Sequence, residues 1–438
     1  MAPFYGIDVG TSFIKGAILD LDANQLRETH RVPFPDFLDG LPPLHREVDP
    51  GAIMRGVDEL LARLQRSEPH PDGIVFCGQM HGCALVDRAG QPKSNYISWL
   101  DQRVSPAEFD EIKACVTEHD RRELGNEFRP SFGLPLLWWL KRHNQLPPGD
   151  SAPVSPPDLV VGQLCGAVPV LEPTQAASFG AIRLSTRDWH HEVIRKLGLD
   201  CLRWPPVRPA GTISGYWRGI PCYSGVGDQQ CALAGVLLAD REISVNIGTG
   251  SQVAMTVDTP PADDLQTRPY FDNRLLRTIT HIPGGRALTP LVRLFAELSG
   301  MSEDQAWPKI EAAVALVPST DLRAAITFFP GPCGDRGFLE NLHDGNLGVG
   351  HVFRAAFESM ARNYEACIRR LDPAAGVERL VFTGGVAQRL AIVRDLTAQA
   401  LRLTYRLSPH AEDTLYGLMV LAQSFTGRRK TICPEADS

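Results

Sequence analysis

The 438-residue chain has no long apolar run: nothing approaches the roughly 18 consecutive apolar residues a membrane helix needs, so no transmembrane span is expected. It has no basic block longer than Arg428-Arg429-Lys430, and its formal net charge is −7. Nucleic acid and acidic membrane are thereby excluded as main partners, and an anionic substrate would need a local positive site. No Cys-x-x-Cys pair occurs among the ten cysteines, and most of them, Cys77, Cys165, Cys231 and Cys367 included, lie in apolar surroundings. They read as reduced structural thiols of a cytoplasmic protein, not as disulfides or zinc ligands. No charged and apolar leader precedes the first strand pattern. The glycine spacings of the Walker A loop and of the Rossmann fingerprint are also missing.

An apolar share of 43% is ordinary for a soluble globular protein, and the length favours two domains, divided here as 1–238 and 239–438. The stretch around which the chain is organised is Cys222–Val253. In its first half a strand at Ile220–Tyr223 runs through glycines into a helix that starts at Asp228, where exposed N–H groups favour a carboxylate. In its second half two strands are joined by Gly248-Thr249-Gly250, a hairpin whose backbone can approach a phosphate. One half could take a proton from a substrate hydroxyl, and the other could hold the phosphate that the oxygen attacks.

Tyr5–Asp20 reads as two strands around Gly10-Thr11-Ser12, a turn of N–H groups and hydroxyls that can cradle phosphate oxygens. Asp8, at the end of the first strand, suits magnesium, since a hard cation prefers carboxylate oxygen. Residues 51–66 carry a helical apolar stripe, and Gly73–Cys77 is a buried strand. The loop Gly78-Gln79-Met80-His81-Gly82 follows at that strand's C-terminal end, where ligands bind in α/β sheets. Gln79 and His81 offer the mixed donors and acceptors that a hydroxyl-rich ligand requires. Trp99 could stack on a sugar face, and Asp101 could bind hydroxyls while Arg103 orients it.

Further on, 105–145 reads as helical and polar, Pro260–Thr267 as a loop, Ala287–Ser299 as a helix and Ile326–Pro330 as a strand. Residues 351–371 form a helix, and Arg379–Gln388 is a strand that breaks at Gly384-Gly385 into a helix, a place where a nucleotide could approach. Strand-turn-strand units recur loosely in both halves, without a sequence repeat that would prove duplication.

In order along the chain, Asp8-Val-Gly-Thr-Ser12, Gly78-Gln-Met-His-Gly82, Trp99-Leu-Asp-Gln-Arg103, Gly225-Val-Gly-Asp-Gln229, Gly248-Thr-Gly250 and Gly384-Gly385 resemble the FGGY carbohydrate kinases from end to end. The resemblance implies an α/β fold of two actin-like (ribonuclease H-like) ATPase domains with a central cleft. It implies that Asp228 is the catalytic base and also meets the substrate. Gly10, Thr11 and Ser12 would meet the phosphates, with Gly248, Thr249, Gly250, Gly384 and Gly385 on the ATP side. Gln79, Met80, His81, Trp99 and Asp101 would face the sugar, and Asp8 and Asp228 would hold Mg2+. Gln79-Met80-His81 resembles the xylulokinase pattern. Gln175–Gly180, Pro269–Asp272 and Leu347–His351 resemble sedoheptulokinase. Glu172 stands where many members place a sugar-binding aspartate.

The expected activity is transfer of the γ-phosphoryl of MgATP to a hydroxyl of a ketose, xylulose or sedoheptulose first, by a cytoplasmic enzyme compatible with a homodimer. Two rivals share the scaffold. A non-sugar ATPase would need no Gln79, His81 or Trp99, and a non-enzymatic sugar sensor would need no base at 228.

Overall fold

The computed structural model describes residues 3–260 and 263–434. They form two compact units. The first comprises residues up to Leu237, Thr256–Leu276 and His410–Pro434, and the second Leu238–Met255 and Arg277–Pro409.

In the first unit the seven-stranded sheet is built from β1 (Phe4–Val9), β2 (Phe13–Asp20), β3 (Gln25–Pro33), β4 (Gly73–Gly78), β5 (Ile213–Trp217), β6 (Ile220–Tyr223) and β7 (Val226–Gly227). The order is β5-β6-β4-β1-β2-β3, with β7 also on β4. Strands β1 to β3 form an antiparallel meander, whereas β4 runs parallel to β1 and both β6 and β7 run parallel to β4. Every residue of β1 and β4 is buried, as expected for parallel strands covered on both faces. One cover is the helix Pro50–Ser67. Asp49 caps it by accepting from the Gly51 N–H (2.9 Å), and proline occupies its first position. Its stripe Ile53, Val57, Leu60, Leu61 and Leu64 is buried with Tyr5, Ile7 and Ile14 in one core. A separate core around Leu136, Phe179 and Trp189 supports the residues between β4 and β5.

The C-terminal helix Asp413–Phe425 returns to this unit and packs on the helix Asp228–Gly235. The approach is so close that a Cβ on Gly417 would overlap the Cys231 carbonyl oxygen, and one on Gly235 would overlap that of Asp413.

The second unit repeats the plan. Strands β8 (Glu242–Ile247), β9 (Gly250–Val257), β10 (Leu275–Pro283), β11 (Arg379–Thr383) and β12 (Thr404–Leu407) lie in the order β10-β9-β8-β11-β12. Here β8 and β9 are antiparallel, and β8, β11 and β12 are mutually parallel neighbours. Each sheet thus has a first hairpin strand flanked by its own hairpin partner and by a later parallel strand, which is the ribonuclease H-like arrangement.

The polar stretch 105–145 is three helices, Pro106–Cys115, Glu118–Glu123 and Gly133–Arg142, the first two opened by capping boxes at Ser105 and Thr117. Ile326–Pro330, expected as a strand, is irregular. The Ile326 N–H is taken by Ser359 Oγ (3.3 Å), and the ladder lies just before it, between Arg323–Ala325 and Phe338–Glu340. Of the loop expected at Pro260–Thr267, Pro261 and Ala262 lie outside the described residues, and Gln266–Pro269 is a strand. No helix among the described residues is long and apolar enough to cross a membrane.

Overpacking the helix crossing tests its importance. Gly417→Ala is expected to lose about 1–3 kcal/mol, read as a lower midpoint of urea unfolding. An unchanged midpoint would show that the two helices can separate without cost.

Candidate active site

In the first unit the parallel register brings the carboxylates together. Asp8 on β1 pairs with Cys77 on β4, and Cys77 pairs with Val226 on β7. The residues that leave these strands at their C-terminal ends are therefore neighbours: Gly10-Thr11-Ser12 after β1, Gln79-Met80-His81 after β4 and Asp228 after β7.

Asp8 is buried. Its Oδ2 accepts from Thr414 Oγ1 (2.7 Å), a residue of the C-terminal helix. Its Oδ1 is buried and accepts no hydrogen bond of ordinary geometry among the described residues. Burial raises the Asp8 pKa, with the Lys15 ammonium and the Thr414 hydroxyl opposing it. Lys15 is not a free surface charge, because its Nζ meets Glu412 Oε2 at 2.6 Å.

Asp228 is the first residue of its helix, and its Oδ1 accepts from the Gln229 N–H (2.8 Å). The side chain is half-buried. Its pKa is pushed up to about 7, first by desolvation and then by the charge of Asp8, against the Gln229 N–H and the Arg268 guanidinium. A pair of carboxylates with one orphaned oxygen is a donor set that suits a hard divalent cation such as Mg2+, so the residues present fit that ion.

The turn after β1 is tight. Gly10 N–H donates to the Phe13 carbonyl (3.1 Å), and a Cβ at Gly10 would lie 2.9 Å from that same oxygen. Thr11 and Ser12 are exposed, and Trp99 Nε1 donates to Thr11 Oγ1 (3.2 Å), so the indole stands beside the turn. Gln79 is buried and spends its carboxamide inside the protein. Its Oε1 accepts from the Tyr96 hydroxyl (3.0 Å), and its Nε2 reaches the Gly10 carbonyl (3.4 Å). Met80 is buried, with Sδ 4.0 Å from Arg268 Nη1. His81 has the left-handed φ of 75°, uncommon for a residue with a Cβ. Its ring stacks on Phe132 at 3.9 Å, and Nδ1 lies 3.2 Å from the Ser178 carbonyl. Asp101 is fully buried. Arg103 grips it from Nε and Nη2, each at 2.8 Å, and the Arg46 N–H adds a 2.7 Å bond.

Glu172, noted in the sequence, and residues not singled out there complete this site. Thr174 Oγ1 accepts the Gly227 N–H (3.0 Å) immediately before Asp228, and that hydroxyl donates to Glu172. Glu172 caps the turn Pro173–Ala176, and burial raises its pKa to about 7 against the Thr174 hydrogen bonds. Arg268, also buried, binds both Glu127 and Gln229. Thr414 lies 406 residues from Asp8, Arg268 lies 39 from Gln229 and 141 from Glu127, and no local pattern marks either. Glu172 alone among them was marked in the sequence.

In the second unit two glycine turns lie side by side, because β8 and β11 are parallel neighbours with Asn246 opposite Thr383. Asn246 Nδ2 donates to Thr383 Oγ1 (2.8 Å) just before the strands end. In the first turn Gly248 N–H donates to the Gly250 carbonyl (3.0 Å). The helix Gly285–Ser299 braces it with Gly285 N–H to the Gly248 carbonyl and Arg286 N–H to that of Thr249, both 2.9 Å. Thr249 and Gly250 are exposed. In the second turn Gly384 has φ 87°, and a Cβ there would meet the Ile247 carbonyl at 2.6 Å; Gly385 faces open space. Glycine is required at 384 on both counts.

Other features of the first unit are separate. A cavity of about 1140 Å3 is lined by Arg122, Arg187, Arg208, Tyr270 and others, and of the site it touches only Glu172. Asp120, Glu123 and His190 cluster closely, but Lys196 and Arg183 already neutralise their carboxylates.

Comparison with known proteins gives the class. Residues 4–235 match the N-terminal domain of the FGGY family of carbohydrate kinases. The chain is 24% identical over 433 residues to a sedoheptulokinase of Homo sapiens, covering 89% of each. It is 30% identical over 308 residues to a xylulose kinase of Staphylococcus xylosus, covering 65% of this chain and 61% of that one. In fold it is similar to gluconate kinase from Lactobacillus acidophilus (TM-score 0.85, 18% identity, 99% and 91% covered). It is also similar to Plasmodium falciparum glycerol kinase with ADP (TM-score 0.86, 18% identity, 100% and 93% covered). The two α/β units are thus of the actin-like kind, and the chain belongs to the FGGY family of carbohydrate kinases. It is an enzyme of the sugar-kinase class, a phosphotransferase with an alcohol group as acceptor.

The raised Asp228 pKa has a stability consequence. Between the ordinary 3.8 and about 7 the folded protein binds more protons than the unfolded chain, so stability falls as pH rises through that window. Asp228→Asn is therefore expected to be more stable than the parent at pH 8, by on the order of 2 kcal/mol, and nearly equal to it near pH 4. Urea midpoints of both proteins at the two pH values check this; equal midpoints at pH 8 would mean an unperturbed carboxyl.

Proposed function

We propose that the enzyme transfers the γ-phosphoryl group of ATP, with magnesium, to a hydroxyl of a ketose, xylulose or sedoheptulose first. The observation that carries the reading is Asp228: a half-buried carboxylate with its pKa near 7, at the C-terminal edge of a parallel sheet beside Asp8. A base poised near the working pH is what proton removal from a hydroxyl calls for. Similarity to sedoheptulokinase along most of both chains, and to xylulose kinase over a shorter span, supports a ketose as acceptor.

In this reading the first unit supplies the base and the sugar wall, and the second supplies the nucleotide turns. Asp228 accepts the hydroxyl proton at its carboxylate as the oxygen attacks phosphorus in line. Gly10, Thr11 and Ser12 offer N–H groups and hydroxyls to the transferred phosphoryl, and Thr249, Gly250 and Gly385 lie open to the nucleotide. Asp8 and Asp228 would hold Mg2+, which offsets charge on the phosphoryl oxygens. Met80, His81 and Trp99 form the sugar wall. Gln79 and Asp101 act on it indirectly, Gln79 by tying the phosphate turn to Tyr96 and Asp101 by anchoring the Trp99–Arg103 loop.

Sugar-dependent ADP production, measured across xylulose, ribulose, sedoheptulose, fructose, glycerol and ribitol, tests the activity. One ketose is expected to stand out. ATP consumption indifferent to every sugar would point instead to a non-sugar ATPase, and sugar binding without ADP would point to a sensor. With the preferred sugar, Asp228→Asn is expected to keep ATP binding and lose turnover on the order of 10²-fold or more. Turnover close to the parent's would remove Asp228 from the role of base.

A further inference from the structure

All ten cysteines are free thiols, and in the second unit Cys333 and Cys367 stand with their sulfurs 3.8 Å apart. Cys333 is half-buried, in the short turn closed by the paired Gly331 and Gly334 backbones. Cys367 is buried on the helix Val349–Leu371. A disulfide needs its sulfurs at about 2.05 Å, so closure calls for a movement of under about 2 Å, which a side-chain rotation and a loop can supply.

The segments that carry both partners are linked to the Gly248-Thr249-Gly250 turn. One helical turn before Cys367, the Tyr364 hydroxyl lies 2.9 Å from Ser251 Oγ and donates to the Pro283 carbonyl (3.3 Å). On the Cys333 side, Phe329 lies 3.9 Å beneath the guanidinium of Arg286, whose N–H holds the Thr249 carbonyl. A strain applied between residues 333 and 367 therefore reaches the turn through two short paths.

We propose that Cys333 and Cys367 form an oxidisable dithiol, a modification site for a peroxide, whose disulfide form weakens ATP binding at the adjacent turn. The part concerning ATP rests on the nucleotide role given above to that turn. Cys333 is the attacking thiol: it is the more accessible, and the hydrogen bond from Cys367 lowers its pKa. Its thiolate attacks one peroxide oxygen, forming S–O as O–O breaks, and the released hydroxide takes a proton to become water. The Cys367 sulfur, deprotonated, then attacks Cys333 Sγ. S–S forms, S–O breaks, and the second hydroxide leaves as water with the proton given up by the Cys367 thiol. Two thiols lose two electrons and two protons, and one hydrogen peroxide becomes two waters.

The test uses the full chain, reduced with dithiothreitol, freed of it, and treated with hydrogen peroxide. A non-reducing digest is expected to yield a linked peptide containing Cys333 and Cys367, lost on renewed reduction. The Kd for ATP, measured by calorimetry without sugar, is expected to rise at least about fivefold, the low end of ordinary coupling between sites, and to recover with dithiothreitol. Cys333→Ser and Cys367→Ser are each expected to abolish both effects. If the exposed Cys115 and Cys201 are oxidised while 333 and 367 stay thiols, the dithiol is refuted. If the link forms and the ATP Kd is unchanged, the coupling is refuted. Neither readout needs a sugar, so failure of every sugar in the ADP assay overturns the ketose reading alone.

Discussion

Two acidic side chains kept close together, one buried and one half-buried, set the terms for the first unit. Burial is the first cause that raises the pKa of both Asp8 and Asp228, and at Asp228 the charge of Asp8 adds to it. The arrangement persists because it is over-determined. Asp8 is in a strand buried on all residues, Asp228 follows β7, which pairs with β4 at the same residue, Cys77, that faces Asp8, and Thr414 arrives from the far end of the chain to satisfy one oxygen. Lys15 and Arg268 temper the charge from either side without quenching it. The result is a carboxyl with its pKa near 7 and a buried oxygen without a hydrogen-bond partner among the described residues, an arrangement of the kind that clusters at functional sites.

The same topology solves a different problem in the second unit. There the ends of parallel neighbours β8 and β11 carry glycines rather than acids, so backbone is presented where the first unit presents side chains. The close approach of Gly384 to Ile247 and the clamp on the Gly248–Gly250 turn by the start of a helix give that backbone a definite shape. Strand order repeats while sequence does not, because a sheet constrains burial pattern and handedness far more tightly than residue identity.

Much of this was legible along the chain. The hairpin at Gly10–Ser12, the buried strand before Gln79, the helix opening at Asp228 and the hairpin at Gly248–Gly250 all follow from local periodicity and from glycine placement. The extended stretch read at Ile326–Pro330 was not correct, since apolar content alone does not reveal that a serine from another helix takes the Ile326 N–H. Gln79 and Asp101 show a subtler limit. Both stand in loops that read as ligand-facing, yet Tyr96, Gly10, Arg103 and the Arg46 backbone occupy their polar atoms. Polar residues near a site are distinguishable as contacts or as supports only when their partners are known.

By itself the amino-acid order determined the family, the class of chemistry and the glycine turns, because these rest on short segments whose conformation is decided by near neighbours. Only the tertiary structure decided that Asp228 lies beside Asp8, that Thr414 and Arg268 attend them, and that Cys333 meets Cys367. Those pairings join residues far apart in the chain, and the free energy of such a contact depends on burial and distance in space, which spacing along a sequence does not encode.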